Sequence, residues 1–242
     1  MGYIHKVDFN IDYEYVDKHN KLTYKGFLKY LQDAATMHSN HIGYSFENLI
    51  QHGLAWLVLG WKIEIYKRPG TDEKIHVETW STGFEKVSSC RDYKIFNSQK
   101  ELIAIASSKW VLYDLKKGSL ARITEEFASP YHPHYEHVFG EQIEKISEPS
   151  SEATNTYNYA IMRRDIDTNN HVHNTNYLDI AIEALPEEKY KNMNYTTVEI
   201  MYKKQALLGD KTTAMYHHEE DGDYIVIKSE DLKKLHCIVK FA

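Results

Sequence analysis

The chain has only two cysteines, Cys90 and Cys237, in 242 residues. That is too few for a disulfide framework and fits a protein of a reducing compartment. Both are expected to be buried and small rather than reactive. No apolar run approaches the roughly 18 residues that a membrane helix needs. The start, Met1-Gly2-Tyr3-Ile4-His5-Lys6, lacks the apolar stretch of a signal peptide and has Lys6 where a myristoylation site needs Ser or Thr. A cytoplasmic protein without a membrane partner is therefore expected. A basic excess is also missing: the net charge of -6 argues against a nucleic-acid partner, because nothing would neutralise phosphates. The Walker A pattern, the dinucleotide glycine fingerprint and the Gly-x-Ser-x-Gly elbow are all absent, so no cofactor is expected and a Ser-His-Asp hydrolase is disfavoured. Both cysteines fall in predicted strand interiors with no His nearby in sequence, which disfavours a Cys nucleophile.

What is present is a globular composition, 42% hydrophobic and 26% charged, with nineteen tyrosines. Together with abundant Val, Ile and Thr it favours sheet. The length suits two domains of about 100 residues or slightly more.

An internal repeat organises the chain. Val16-Asp17-Lys18-His19-Asn20-Lys21-Leu22 resembles Ile166-Asp167-Thr168-Asn169-Asn170-His171-Val172. Each copy precedes a helix. In the first, Thr23 caps a helix with Phe27, Tyr30, Leu31, Ala34 and Met37 at helical spacing, ended by Gly43. In the second, Asn174 or Thr175 caps a helix carrying Tyr177, Ile180, Ala181, Ala184 and Leu185, stopped by Pro186. After each helix comes a strand with a basic end, Ile63 to Arg68 and Val198 to Lys204, then a turn with Gly, then further strands. These are Ile75 to Trp80, Ser88 to Phe96 and Leu102 to Tyr113 in the first half, and Thr212 to His217, Tyr224 to Ser229 and Leu235 to Phe241 in the second. A helix followed by about four antiparallel strands, twice, is an α+β arrangement. The reading is a unit at 1–123, a linker at 124–153 and a second unit at 154–242. The linker's His132, His134 and His137 have metal-ligand spacing but no supporting Cys or carboxylate, so no metal site is expected.

The stretch Arg163 to Tyr177 carries the chemistry. Read as extended backbone, it puts Asp167, Asn169 and His171 at alternate positions and hence on one side. An Asp, an Asn and a His can together supply a nucleophile or base, a proton-handling group and a donor for a developing oxyanion. Val172 to Asn174, at the following helix start, would add free amides. The competing reading is a polar cap cluster that merely satisfies backbone donors.

Asp165-Ile-Asp167-Thr-Asn169-Asn-His171-Val-His173-Asn174-Thr-Asn-Tyr177 resembles the signature of the acyl-acyl-carrier-protein thioesterases, bacterial relatives of the plant plastid enzymes. The resemblance extends to Tyr30-Leu-Gln-Asp-Ala-Ala35, Trp56-Leu-Val58, Tyr66-Lys-Arg-Pro69, Lys109-Trp-Val-Leu112 and Tyr202-Lys-Lys204. It implies a tandem (double) hotdog fold, in which two long helices are each wrapped by antiparallel strands of a continuous sheet. It also implies an acyl pocket mainly in the first unit and catalysis in the second, by Asp167, Asn169 and His171. The family usually has Glu where this chain has Gln205, which cannot ionise but can orient water. His173 replaces the commoner Asn and reads as a helix-start variant. Ala206 stands where plant members carry a cysteine once proposed as nucleophile.

The implied reaction is hydrolysis of fatty acyl thioesters on acyl carrier protein, which ends fatty acid synthesis. An acyl-CoA thioesterase of the hotdog superfamily and a non-catalytic acyl-binding module are the alternatives. Trp56, Leu57, Leu59 and Trp61 are the candidate acyl-chain contacts, although ordinary core packing explains any one of them. Lys62, Lys67, Arg68, Lys203 and Lys204 are candidate basic contacts for an acidic carrier. Lys21 stands where His171 does, so one active site per chain is expected. A monomer and a homodimer both fit.

Overall fold

The computed structural model describes residues 2–242, and the chain divides into two compact units, Met1–Ile143 and Glu144–Ala242. The division falls within the stretch read as a linker, so residues 124–143 belong to the first unit.

Unit 1 contains β1 (His5–Asn10), α1 (Tyr24–His41), α2 (Phe46–Gln51), β2 (Leu54–Ile65), β3 (Lys74–Phe84), β4 (Ser88–Asn97), β5 (Leu102–Asp114), β6 (Ser119–Leu120) and α3 (Glu125–Ala128). Its strands lie in the order β1-β3-β4-β5-β2, with β6 on β5, and the four pairings along that path are antiparallel. Helix α1 begins as its sequence dictates: the Thr23 side chain accepts from the Gly26 N–H at 3.0 Å, satisfying a donor that has no partner within the helix. Leu22, Phe27, Leu28, Leu31 and Ala34 are fully buried, and the helix packs on β1 and β3. Gly26 is required by close approach, since a Cβ there would lie 2.5 Å from Leu22 Cδ1 and 3.0 Å from Tyr15 O. Gly43, at φ 89°, releases the chain from the helix.

Unit 2 contains β7 (Asn155–Ala160), α4 (Asn176–Glu183), α5 (Glu187–Lys191), β8 (Thr197–Tyr202), β9 (Lys211–Glu219), β10 (Gly222–Ser229) and β11 (Leu235–Phe241). The order β8-β11-β10-β9-β7 repeats that of unit 1, with β7 matching β1, β9 matching β3, β10 matching β4, β11 matching β5 and β8 matching β2. Each unit thus has five principal strands where the sequence reading counted about four, because β1 and β7 precede the repeated loops. Both are six residues long and alternate between half-buried and exposed positions, as an edge strand with one covered face does. The second helix is not long. Helix α4 spans eight residues, because Pro186 stops it and the chain before Asn176 is still committed to turns.

Unit 2 also holds a buried carboxylate. Asp223 on β10 is 2% exposed and accepts from the Tyr195 and Tyr216 hydroxyls, His218 Nδ1 and the Lys189 ammonium. Burial alone would raise its pKa, but these donors prevail and hold it down to about 2.

Among the described residues, no helix is long and apolar enough to cross a membrane.

Candidate active site

In unit 2, β7 runs into a 3-10 turn, Arg163–Asp165, and then into a tight loop closed by a bridge between Ile166 and Val172. The segment is not extended. Asn170 takes a left-handed conformation, φ 61°, which Asn tolerates better than most residues. The alternation expected for Asp167, Asn169 and His171 is therefore replaced by a turn built around one carboxylate. Asp167 Oδ1 accepts from the Asn169 N–H at 2.8 Å and the His171 N–H at 3.3 Å, an arrangement Asp adopts readily because its short side chain reaches its own backbone. The Asp167 N–H in turn donates to the His171 carbonyl at 2.8 Å.

This loop folds the Asp167 carboxylate onto the backbone of Asn169 and His171. Asp167 Oδ2 lies 3.5 Å from Asn169 Nδ2, a weak contact, and has no ion-pair partner among the described residues. His171 Nδ1 is buried without a hydrogen-bond partner among those residues. Asp167 and His171 are half-buried, and Asn169 is exposed.

The amides expected to be free are largely committed. Val172 N–H donates to the Ala206 carbonyl at 3.0 Å, and His173 N–H to the Asp165 carbonyl at 2.8 Å. Thr175 makes no side-chain cap to α4; instead its N–H and hydroxyl lie 3.4 and 2.7 Å from His173 Nδ1, which supports His173 as a helix-start residue. The Val172–Ala206 bond ties the loop to the segment after β8, so Gln205 stands one residue from that tie. Gln205 is exposed, and among the described residues no side-chain hydrogen bond ties it to the loop. Two supports were missed by sequence reasoning. The Tyr177 hydroxyl accepts from the Ala206 N–H at 3.1 Å, and the Tyr202 hydroxyl donates to the Asn174 carbonyl at 3.0 Å. In the sequence Tyr177 shows as an apolar helix position and as the last residue of the signature, neither of which gives its bond to Ala206. Burial holds its hydroxyl protonated well past the usual range.

Unit 1 repeats this scaffold. Val16 bridges Leu22, Asn20 has φ 54°, and Asp17 Oδ1 accepts from the His19 and Lys21 N–H groups at 2.8 and 3.1 Å. Leu22 N–H donates to the Pro69 carbonyl at 2.7 Å, the counterpart of Val172 to Ala206. Pro69 therefore corresponds to Ala206, and Arg68 to Gln205. The side chains differ. Arg68 Nη2 meets Asp17 Oδ2 at 2.6 Å and its Nε donates to the Leu22 carbonyl at 2.8 Å. Burial pushes Asp17 up, but the two amides and Arg68 hold its carboxyl below the usual range.

Neither cysteine is placed for nucleophilic work. Cys90 and Cys237 are buried and free; burial pushes the Cys90 thiol up to about 11 and Cys237 well above its ordinary value.

The four candidate chain contacts lie on β2 but do not share one environment. Trp61 is 1% exposed and packs on Tyr93 and Trp110, with ring centroids 5.5 and 5.9 Å away. Trp56 donates from Nε1 to the Tyr131 hydroxyl at 3.1 Å and lies 5.9 Å from the Phe127 ring. Leu57 follows Trp56 in the strand and so faces the other way, and Leu59 is 38% exposed. The linker histidines are scattered: His134 sits edge-on to Trp80 at 5.6 Å, and His137 lies 3.7 Å from Asp92.

Residues 2–131 match the family described as "Acyl-ACP thioesterase N-terminal domain", and residues 148–240 match "Acyl-ACP thioesterase C-terminal domain". Oleoyl-acyl carrier protein thioesterase 2, chloroplastic, of Arabidopsis thaliana is 23% identical over 93% of this chain. The chain spans 65% of that protein's length, and 58% of the length of the corresponding Coriandrum sativum protein. Among solved structures, an acyl-ACP thioesterase from Bacteroides thetaiotaomicron superposes with a TM-score of 0.88 at 21% identity, covering 98% of this chain and 96% of that one. The 12:0-ACP thioesterase of Umbellularia californica gives 0.84 at 15% identity, covering 98% and 96%. These likenesses establish the hotdog-type α+β fold, and with both family domains matched in order along the sequence, the chain belongs to the acyl-ACP thioesterase family.

Proposed function

We propose that the protein hydrolyses the thioester of a fatty acyl chain carried on the phosphopantetheine arm of acyl carrier protein, with one working site per chain at the Asp167 loop. The observation that carries this reading is the difference between the two copies of the loop. Arg68 neutralises one carboxylate, whereas Asp167 has no cationic partner among the described residues, and His171 Nδ1, four residues on, is buried with no hydrogen-bond partner among them.

In the reaction, water adds to the thioester carbonyl carbon, the C–S bond breaks, and the thiolate leaves with a proton to give free acid and carrier thiol. Asp167 either attacks the carbonyl or activates the water. His171 handles the proton, Asn169 donates toward the carbonyl oxygen, and Gln205 orients water. With the Val172 and His173 amides committed, more of the oxyanion stabilisation falls to the Asn169 side-chain amide. Unit 1, with Trp56 and Leu57 as its partly accessible members of the proposed set, takes the acyl chain, and Leu59 and Trp61 shape the strand behind them.

An acidic carrier suits the cations around the site, since Arg163, Arg164, Lys203 and Lys204 are all exposed. The test is to assay one acyl group on carrier protein and on CoA, with Asp167→Asn and His171→Ala alongside. Hydrolysis that prefers the carrier and collapses in both variants is expected. Equal rates on the two carriers would shift the reading to a general acyl thioesterase, and acyl binding without turnover would make it a binding module. Single turnover in heavy-oxygen water then separates the two roles of Asp167, because label enters the enzyme carboxylate only if Asp167 attacks. Size measurement in solution decides between monomer and homodimer.

A further inference from the structure

Gln205 and its counterpart Arg68 are held in different ways. Arg68 fixes itself, because its guanidinium bonds Asp17 Oδ2 and the Leu22 carbonyl. Gln205 is exposed, and among the described residues its side chain makes no hydrogen bond. Whatever aims that side chain therefore acts through the backbone, and the backbone is tied on both sides. On the N-terminal side, Nδ1 of His236 on β11 lies 2.8 Å from the Lys204 carbonyl. A carbonyl only accepts, so the ring carries its hydrogen on Nδ1 and donates it. His236 is 1% exposed, and burial pushes its pKa down, so the ring is neutral and adds no charge beside the site. On the C-terminal side, the Tyr177 hydroxyl accepts from the Ala206 N–H at 3.1 Å. The Lys204 carbonyl and the Ala206 N–H belong to the two peptide groups that flank the Gln205 Cα. Fixing both planes fixes the two soft dihedrals of Gln205, and with them the direction in which its side chain leaves the backbone.

Unit 1 can make neither tie. Strand β8 pairs with β11 as β2 does with β5, and where these strands end, Lys203 N–H donates to the His236 carbonyl at 2.9 Å and Tyr66 N–H to the Ile103 carbonyl at 2.8 Å. Ile103 thus stands where His236 does. Phe27 stands where Tyr177 does, at the offset that relates Asp17 to Asp167. Pro69, the counterpart of Ala206, has no N–H to give. Imidazole, hydroxyl and amide are all present in one copy and all missing from the other. Filling the interior does not account for them, since Ile103 and Phe27 occupy the same two places at 1% and 0% exposure. Burying polar groups where apolar ones fit is costly unless each is bonded, and here each bond falls on a peptide group next to Gln205.

We propose that His236 and Tyr177 are positioning residues for hydrolysis, pinning the two peptide groups around Gln205 so that its side-chain amide keeps one direction, toward the water that attacks at the Asp167 loop. The inference rests on the reading of that loop as the hydrolytic site. Neither residue acts on the substrate directly.

The experiment gives unit 2 the residues of the other copy. On an acyl-carrier substrate, His236→Ile and Tyr177→Phe should each lower kcat by about tenfold to a hundredfold while KM stays within about twofold. His236→Asn, which keeps an N–H donor near the place of Nδ1, should restore most of the rate. In a Gln205→Ala background neither substitution should lower kcat further, because all three remove the same interaction. Losses that multiply in that background, or an unchanged kcat in either folded single variant, overturn the proposal. The NMR order parameter of the Gln205 backbone amide needs no turnover: a rigid value of about 0.85 is expected in the wild type and a lower one in both variants. If the wild-type protein hydrolyses no acyl thioester, the functional reading fails, and the order parameter alone then decides whether the two ties hold Gln205. A value that is the same in wild type and variants overturns that as well. Should Tyr177→Phe fail to fold, His236→Ile and His236→Asn carry the whole test.

Discussion

The loops at Asp17 and Asp167 share a backbone and differ in the side chains around the carboxylate. Both fold an Asp back onto the amides two and four residues ahead, place an Asn in the left-handed region, and donate one N–H to the segment following the next strand. His19, Lys21 and Arg68 occupy one copy where Asn169, His171 and Gln205 occupy the other. On the proposed function, the scaffold is therefore not the source of reactivity. A carboxylate tied to a guanidinium at 2.6 Å is a poor base and a poor nucleophile, because the nearby positive charge stabilises its ionised form.

The sharpest way to break this comparison is to remove one oxygen of each carboxylate. Asp167→Asn should lower kcat on an acyl-carrier substrate by about 10²–10⁴-fold, whereas Asp17→Asn should leave turnover within about twofold and lower the melting temperature. Comparable losses of rate in both would mean that the two loops work alike. Next in size, Gln205→Arg should build the first-copy ion pair in the second, depressing Asp167 and cutting kcat by about tenfold to a hundredfold while the fold holds. A rate unchanged in Gln205→Arg would show that the correspondence between Arg68 and Gln205 stops at the backbone.

Asp223 gives a contrast within unit 2, a carboxylate saturated with donors that serves stability. Its folded pKa of about 2 lies below the ordinary 3.8. Its contribution is therefore present above about pH 4 and lost as pH falls toward 2. Asp223→Asn should cost on the order of 1–2 kcal/mol at neutral pH, after allowance for screening, and should flatten the acid limb of a stability–pH curve with kcat unaltered. The smallest effect is expected from Arg68→Gln, about 1 kcal/mol of stability in a largely buried pair, with turnover unchanged. Chemical denaturation at several pH values measures both.

Much of this was legible in the residues. Thr23 and Gly43 bracket α1, Pro186 ends α4, and Leu235–Phe241 is the last strand as read from its pattern. The first strand of each unit was missed although Val7 and Phe9 alternate with polar neighbours, since six residues ahead of a helix give a weak period. Strand β2 starts at Leu54, earlier than Ile63, because its middle is apolar on both faces and its register slips between Val58 and Gly60. The proposed trio is identifiable by residue type, but its turn geometry is not. A left-handed Asn170 and amides spoken for by Ala206 and Asp165 depend on contacts that spacing does not encode. The Arg68–Asp17 pair joins residues 51 positions apart, and His236–Lys204 joins residues 32 apart; neither leaves a local trace.

The backbone bond from Val172 to Ala206, matched by Leu22 to Pro69, makes each loop a cassette clipped to the chain that follows a strand of its unit. What a cassette does is then a matter of which few side chains it is loaded with. On the proposed function, a symmetric forebear would have presented two equivalent cassettes, and loss of chemistry from one would leave a duplicate holder whose surface is open to a second use.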